Sequence, residues 1–355
     1  MIDLLRKLIT TQSFSREEQA TADILQDYLQ ERGVRVQRLG NNVVAFSPST
    51  AHKPDAMRVL LNSHHDTVRP GQGWTKDPFG AEIEHGRLYG LGSNDAGGAL
   101  MMMLGTFLHY QSARDLPVEF VFAATAEEEI SGTGGMERLT NELWNDFQLD
   151  VALVGEPTAM QLATAEKGLM VLDCTAHGRT GHAAREEGVN AIYAAMQDIA
   201  WFKSYQFEQK SELLGNVKMT VTQVQSGSQH NVVPDQCSFV VDVRVTDAYT
   251  NDEILQIIRQ HVACDVEPRS MRLRSSRIAN DHPLVQAGTE CGMQTYGSPT
   301  MSDQALLPAG LPSLKIGPGH SSRSHTPDEW IGIDELESSI PTLVNLLDTM
   351  MRRMQ

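Results

Sequence analysis

Residues 57–66 read Met-Arg-Val-Leu-Leu-Asn-Ser-His-His-Asp. A run that is apolar except for Arg58 gives way abruptly to polar and charged side chains. That is the pattern of a buried strand that hands its last residues to a site. The pattern recurs along the chain. Val118–Thr125 is a second apolar run and ends at Ala126-Glu127-Glu128-Glu129. Val151–Val154 is a third and ends at Gly155-Glu156-Pro157. Arg87–Leu91 is a short strand running into Gly92-Ser93-Asn94-Asp95-Ala96-Gly97-Gly98. Helices fall between these strands. Ala99–Tyr110 is apolar enough to be buried, and Glu17–Gly33 carries Ala20, Ile24, Leu25, Tyr28 and Leu29 at helical spacing before a glycine stop. Two strand-like runs flank the turn Gly40-Asn41-Asn42. Strands alternating with helices argue for an α/β domain with a mainly parallel sheet.

The texture changes near Gly168. Leu169–His177, Lys218–Gln225 and Cys237–Val245 read as strands, the last with alternating Phe239, Val241, Val243 and Val245. Asn190–Phe202 and Asn251–Val262 read as helices. Two helices and about four strands in this stretch suggest a separate α+β module. After about Ala279 the first pattern resumes, with Pro312–Ile316 as a strand and Ile333–Met351 as a terminal helix. The expected organisation is therefore one domain over 1–168 and 280–355, interrupted by an inserted module at 169–279.

The chain has 355 residues, 41% of them hydrophobic and 21% charged. At roughly 150 residues per domain this length suggests about two domains. The formal charge of −16 disfavours nucleic acid and anionic membrane as partners, since both need a basic face. No stretch approaches the roughly 18 apolar residues that a membrane span needs. Met1–Thr11 carries Asp3, Arg6 and Lys7 and reads as an amphipathic helix rather than a secretory signal. Cys174, Cys237, Cys264 and Cys291 form no CxxC pair and read as reduced thiols of a cytoplasmic protein. The arginines Arg269, Arg272, Arg274 and Arg277 read as a solvated face of the inserted module.

Four strand ends thus carry candidate ligands: His64 with Asp66, Asp95, Glu128 with Glu129, and Glu156. Ligands of open α/β sheets bind at the carboxyl ends of strands. A lone Glu-Glu-Glu run is ordinarily an exposed helix start, and a lone Gly-Glu-Pro a plain turn. Their combination, each after a β-type run, points to a metal site. A carboxylate bridging two ions, each also held by a histidine and one more acid, needs two histidines. The segment 317–329 follows a strand and offers His320 and His325 as the second.

The motifs SHHDTV, GSNDAGGA, TAEEEISG, VGEPT, GRTGHAA, HNVVPD, DVR and SHTPDE together resemble the di-zinc aminoacylase and carboxypeptidase family. Its acetylornithine deacetylase branch is the most similar in the AEKG and SHTPDE segments. The resemblance implies a zinc-exopeptidase-like catalytic domain with an inserted ferredoxin-like dimerisation or lid domain. It implies His64, Asp95, Glu129, Glu156 and His325 as ligands of two divalent ions, zinc or else cobalt or manganese, with Asp95 bridging. It implies Glu128 as general base and Asp66 as the acid that orients His64. His182 matches a histidine that stabilises the oxyanion across a homodimer. Arg244 and Asn231 match residues that hold the substrate carboxylate and its surroundings, and Lys167 belongs with the substrate-binding hinge. Two departures bear on substrate choice: Ala96 follows Asp95 where relatives often carry Lys or Met, and Arg69 precedes Pro70. The activity implied is hydrolysis of an N-acyl amino acid, such as N-acetylornithine, N-succinylornithine or N-acetylcitrulline. The rivals are a desuccinylase of diaminopimelate, a dipeptidase, and a non-catalytic binding protein.

Overall fold

The computed structural model describes residues 1–354 apart from 48–55, 114–115, 145–146 and 186. The chain divides into two compact units. One comprises Met1–Thr164, Arg277–Tyr296 and Ser302–Gln355; the other comprises Ala165–Ser276 and Gly297–Met301.

The larger unit is built on a nine-stranded mixed sheet. Its centre is parallel: Met57–His64 lies between Val118–Thr125 and Val151–Gly155, and Ser313–Ile316 follows Val151–Gly155. Strands on either side run antiparallel, Arg35–Leu39 and Asn42–Phe46 at one edge and Leu162–Glu166 at the other. The parallel centre matches the sequence expectation. In the first of these flanks Gly40 closes a tight turn in the left-handed region (φ 63°), which pairs Arg35–Leu39 with Asn42–Phe46 without a crossover. Helix Gly98–Tyr110 is buried nearly all round through Leu100, Met101, Met102, Met103, Leu104 and Phe107. It packs with the apolar face of helix Ile333–Arg353, which supplies Leu343, Leu346, Leu347 and Met350. A helix without a polar face gains its stability from this burial; removing the Phe107 ring would cost roughly 3–5 kcal/mol. Among the described residues no helix is long and apolar enough to cross a membrane.

The parallel register aligns the strand ends. His64 pairs with Thr125, Asn62 with Val154, and Gly155 with Ile316. Four parallel strands therefore end along one edge of the sheet, and the acids that come after them in the chain emerge there together.

The smaller unit is a four-stranded antiparallel sheet in the order Lys218–Ser226, Gln236–Val245, Gly168–His177, Asp265–Pro268. Helices Ala191–Ser204 and Asn251–His261 complete a βαββαβ chain order, the ferredoxin-like arrangement. The alternation of Phe239, Val241, Val243 and Val245 is real: all four are buried. Helix Asn251–His261 starts at a capping box between Thr250 and Glu253.

Candidate metal centre

His64 closes its strand with its ring buried. One ring nitrogen, Nδ1, lies 3.0 Å from the Asp66 carbonyl oxygen and 3.4 Å from the Asp66 carboxylate. The other, Nε2, lies 3.3 Å from the Asp95 carboxylate and 4.0 Å from that of Glu128. On the far side of Asp95, its second oxygen is 3.6 Å from Nε2 of His325, which in turn lies 2.9 Å from Glu129. Asp95 thus sits between two imidazoles. Among the described residues, two groups of donor atoms fall within 4.8 Å of one another: His64 with Glu128 and Glu156, and His64 with Asp95 and Glu129. His320 is placed differently. Its Nδ1 accepts from the Ser322 backbone N–H and caps a short helix.

Local structure explains how the loops present these groups. Glu127 is in the left-handed region at φ 56°, an uncommon conformation for a residue with a Cβ. Three successive backbone N–H groups there are held by buried carboxylates. Glu127 donates to Glu18 (3.2 Å), and Glu128 and Glu129 donate to the two oxygens of Asp66 (3.0 and 3.2 Å). Ser15 also donates to Asp66, at 2.7 Å. The Glu127 side chain turns away over Gly132 and Gly134, where a Cβ would collide with it. Nothing in the local sequence near Glu18 marks it for this role.

Asp303 lies beneath the site, fully buried, and accepts the Thr125 hydroxyl at 2.5 Å. Neighbouring His65 is not part of the donor set. Its Nε2 donates to the Asn41 carbonyl and its Nδ1 accepts from Thr21.

The electrostatics are those of a site short of positive charge. Burial pushes Glu128 well above the usual glutamate range, and the charges of Glu156, Asp303 and Glu129 push the same way against His64. Burial, with Asp95 beside it, raises Glu156 to about 8. Burial also raises Glu129, against the hydrogen bond from His325. Burial works against a charged His64, yet its contacts with Asp66 and Asp95 hold its pKa well above the usual value. The Glu129 contact raises His325 to about 9. Crowded carboxylates interleaved with imidazoles are the ligand types of zinc, cobalt and manganese. Cations among them would relieve the repulsion. The residues present fit divalent metal.

The remaining candidates belong to the smaller unit. His182 is exposed in a two-residue ladder, Gly181–His182 with Val232–Val233, and its Nδ1 accepts from the Ala184 N–H. Asn231 is exposed, and its carbonyl accepts from Ala183. Arg244 forms a two-bond pair with Asp242 at 2.8 and 3.0 Å. Lys167 donates to the Asn216 carbonyl, and burial followed by the charges of Lys218 and Arg244 lowers its pKa. Lys218 faces Arg244 across the ladder, a third cation that no motif had singled out. Arg269 is paired with Asp173.

Residues 60–351 match the model of the peptidase family M20/M25/M40. The chain belongs to this family. It is a metal-dependent hydrolase of amide bonds. Among curated M20-type relatives, it is 26% identical over 364 residues to succinyl-diaminopimelate desuccinylase 2 of Ruegeria sp. (strain TM1040), covering 95% of this chain and 91% of that protein. It is 28% identical over 359 residues to acetylornithine deacetylase of Klebsiella pneumoniae (strain 342), covering 93% and 92%. Among solved structures, a dinuclear metal-binding M20 peptidase from Bacillus subtilis superposes with a TM-score of 0.73 at 16% identity, over 99% of this chain and 97% of that one.

Proposed function

We propose that this M20 protein removes an acetyl or succinyl group from an N-acyl amino acid, with N-acetylornithine and its close analogues N-succinylornithine and N-acetylcitrulline as first candidates. The observation that carries the reading is Asp95 held between His64 and His325, with Glu129 against His325 and Glu156 grouped with His64. In this assignment His64 and Glu156 would hold one cation and His325 and Glu129 the other, with Asp95 contributing to both. When bound, two divalent cations supply Lewis acidity and lower the pKa of water at the site.

Glu128 is the group left over. Its elevated proton affinity suits a base that takes a proton from the attacking water and returns it to the departing amine. Asp66 orients His64 and, through the Glu128 and Glu129 N–H groups, the turn that carries the base. Arg244 anchors the substrate carboxylate, with Lys167 and Lys218 adding positive charge and Asn231 binding beside it. His182 donates to the oxyanion from a second copy of the chain. Supporting that homodimer, Tyr193 and Met196 on helix Ala191–Ser204 and Val224 on the edge strand Lys218–Ser226 are exposed apolar residues of the smaller unit. The free cysteines suit a cytoplasmic enzyme.

The test is a hydrolysis screen of the purified protein with added zinc, cobalt or manganese. The substrates are N-acetyl and N-succinyl derivatives of ornithine, citrulline, lysine and diaminopimelate, set against dipeptides and tripeptides. Preferential turnover of an acylornithine or acylcitrulline supports the proposal. Turnover of peptides alone would reassign the protein as a peptidase.

A further inference from the structure

The loop that carries Asp95 is held from beneath by a residue far downstream. Glu329 is buried. One of its carboxylate oxygens accepts the backbone N–H groups of Asn94 and Asp95, both at 2.9 Å, and the other accepts that of Gly92 at 3.1 Å. Its own carbonyl accepts the Gly90 N–H at 2.9 Å. The next residues, Trp330–Gly332, pair antiparallel with Arg87–Tyr89, so the register of a β ladder sets where the carboxylate arrives. The Asn94 side chain ties the same two segments from above: its oxygen accepts the His320 N–H at 3.0 Å and its amide donates to the His320 carbonyl at 3.2 Å. Asp328, one residue before, accepts the N–H groups of Thr75 and Lys76 at 2.8 and 2.9 Å. The segment that delivers His325 therefore also fixes the loop that delivers Asp95.

We propose that Glu329 is a positioning residue for Asp95. It holds the loop so that the Asp95 carboxylate faces His64 and His325 at once. A carboxylate does this because it offers two acceptor oxygens and no donor, matching three N–H groups that converge on it. This rests on the metal reading of the site but not on the choice of substrate.

The experiment is a titration of the metal-free full chain with Co2+, followed by calorimetry and by the cobalt absorption spectrum, for wild type, Glu329→Gln and Glu329→Ala. Wild type is expected to bind two equivalents. Failure there overturns the metal reading itself and, with it, the role of Glu329. If wild type binds two, Glu329→Ala is expected to bind at least one ion roughly ten- to a hundred-fold more weakly, with an altered spectrum. Glu329→Gln keeps the shape but turns an amide donor toward one of the N–H groups, and is expected to fall between the two. If Glu329→Ala does not fold, Glu329→Gln decides. Native cobalt affinity and spectrum in a folded variant overturn the proposal, even where its metal-free melting temperature falls, because that outcome assigns Glu329 to stability alone.

Discussion

Glu128 and Glu129 each give a backbone N–H to Asp66, Glu127 gives one to Glu18, and Asp95 gives one to Glu329. In the smaller unit, His182 and Asn231 stand exposed on a two-residue ladder, and Arg244 is occupied by Asp242. The first group is set in place before any ligand arrives. The second is exposed at His182 and Asn231 and paired on its own strand at Arg244, and under the proposed function its work is recognition. The difference matches two kinds of work. Repelling carboxylates keep a fixed geometry only if the backbone beneath them is tied down. A residue that must meet substrate, or a second copy of the chain, gains from being accessible.

Substitutions can break or sharpen this contrast. The largest effect is expected at the base. Glu128→Gln keeps the backbone bond to Asp66 and should lower kcat roughly a hundred- to ten-thousand-fold, while calorimetry finds two metal ions still bound. Survival of activity would remove Glu128 from the mechanism. Next comes His182→Ala, expected to lower kcat roughly a hundred- to a thousand-fold with metal content and melting temperature unchanged. A drop in melting temperature would place His182 with the built-in group instead. Asp66→Asn removes one of two acceptor oxygens under the glutamate turn, and should weaken metal binding roughly ten- to a hundred-fold in a cobalt titration.

A pH effect tests the built-in group from its flank, at His65, which burial pushes down to about 4. Its folded value lies below its unfolded one. Its contribution to stability is therefore present above about pH 6.5 and is lost as pH falls toward 4. Melting curves of the metal-free protein should show that loss, and His65→Gln should shrink it.

Much of the larger unit is legible in the amino-acid sequence alone. Met57–His64, Val118–Thr125 and Val151–Gly155 announce themselves because an apolar run ending in acids has no local reason to exist on a surface. The parallel register then brings their ends together without further information. The clamps are not legible. Glu18, Asp303 and Glu329 act on backbone or hydroxyl groups of segments remote in sequence, and hydrophobic periodicity carries no trace of such pairings. Glu329 lies inside the SHTPDE motif, so its position is marked while its role is not. The strands Leu162–Glu166 and Thr295–Ser298 and the helix Pro283–Glu290 escape a reading by periodicity because Thr164, Gly297 and Ser298, and Gln286, Gly288 and Thr289 interrupt their apolar positions. Lys218 escapes it because a lone lysine at the start of a strand is ordinarily solvated; only the pairing with Arg244 gives it company.

The spread of the site along the chain has a consequence for how the protein is made. During synthesis His64, Asp95, Glu128 and Glu156 emerge before the smaller unit, and all of that unit comes out before His325 and Glu329 appear. A nascent chain thus exposes a crowd of acids with only one of its two histidines and without the carboxylate that braces Asp95. On the assignment above, loading of both metals waits until His325 has been synthesised.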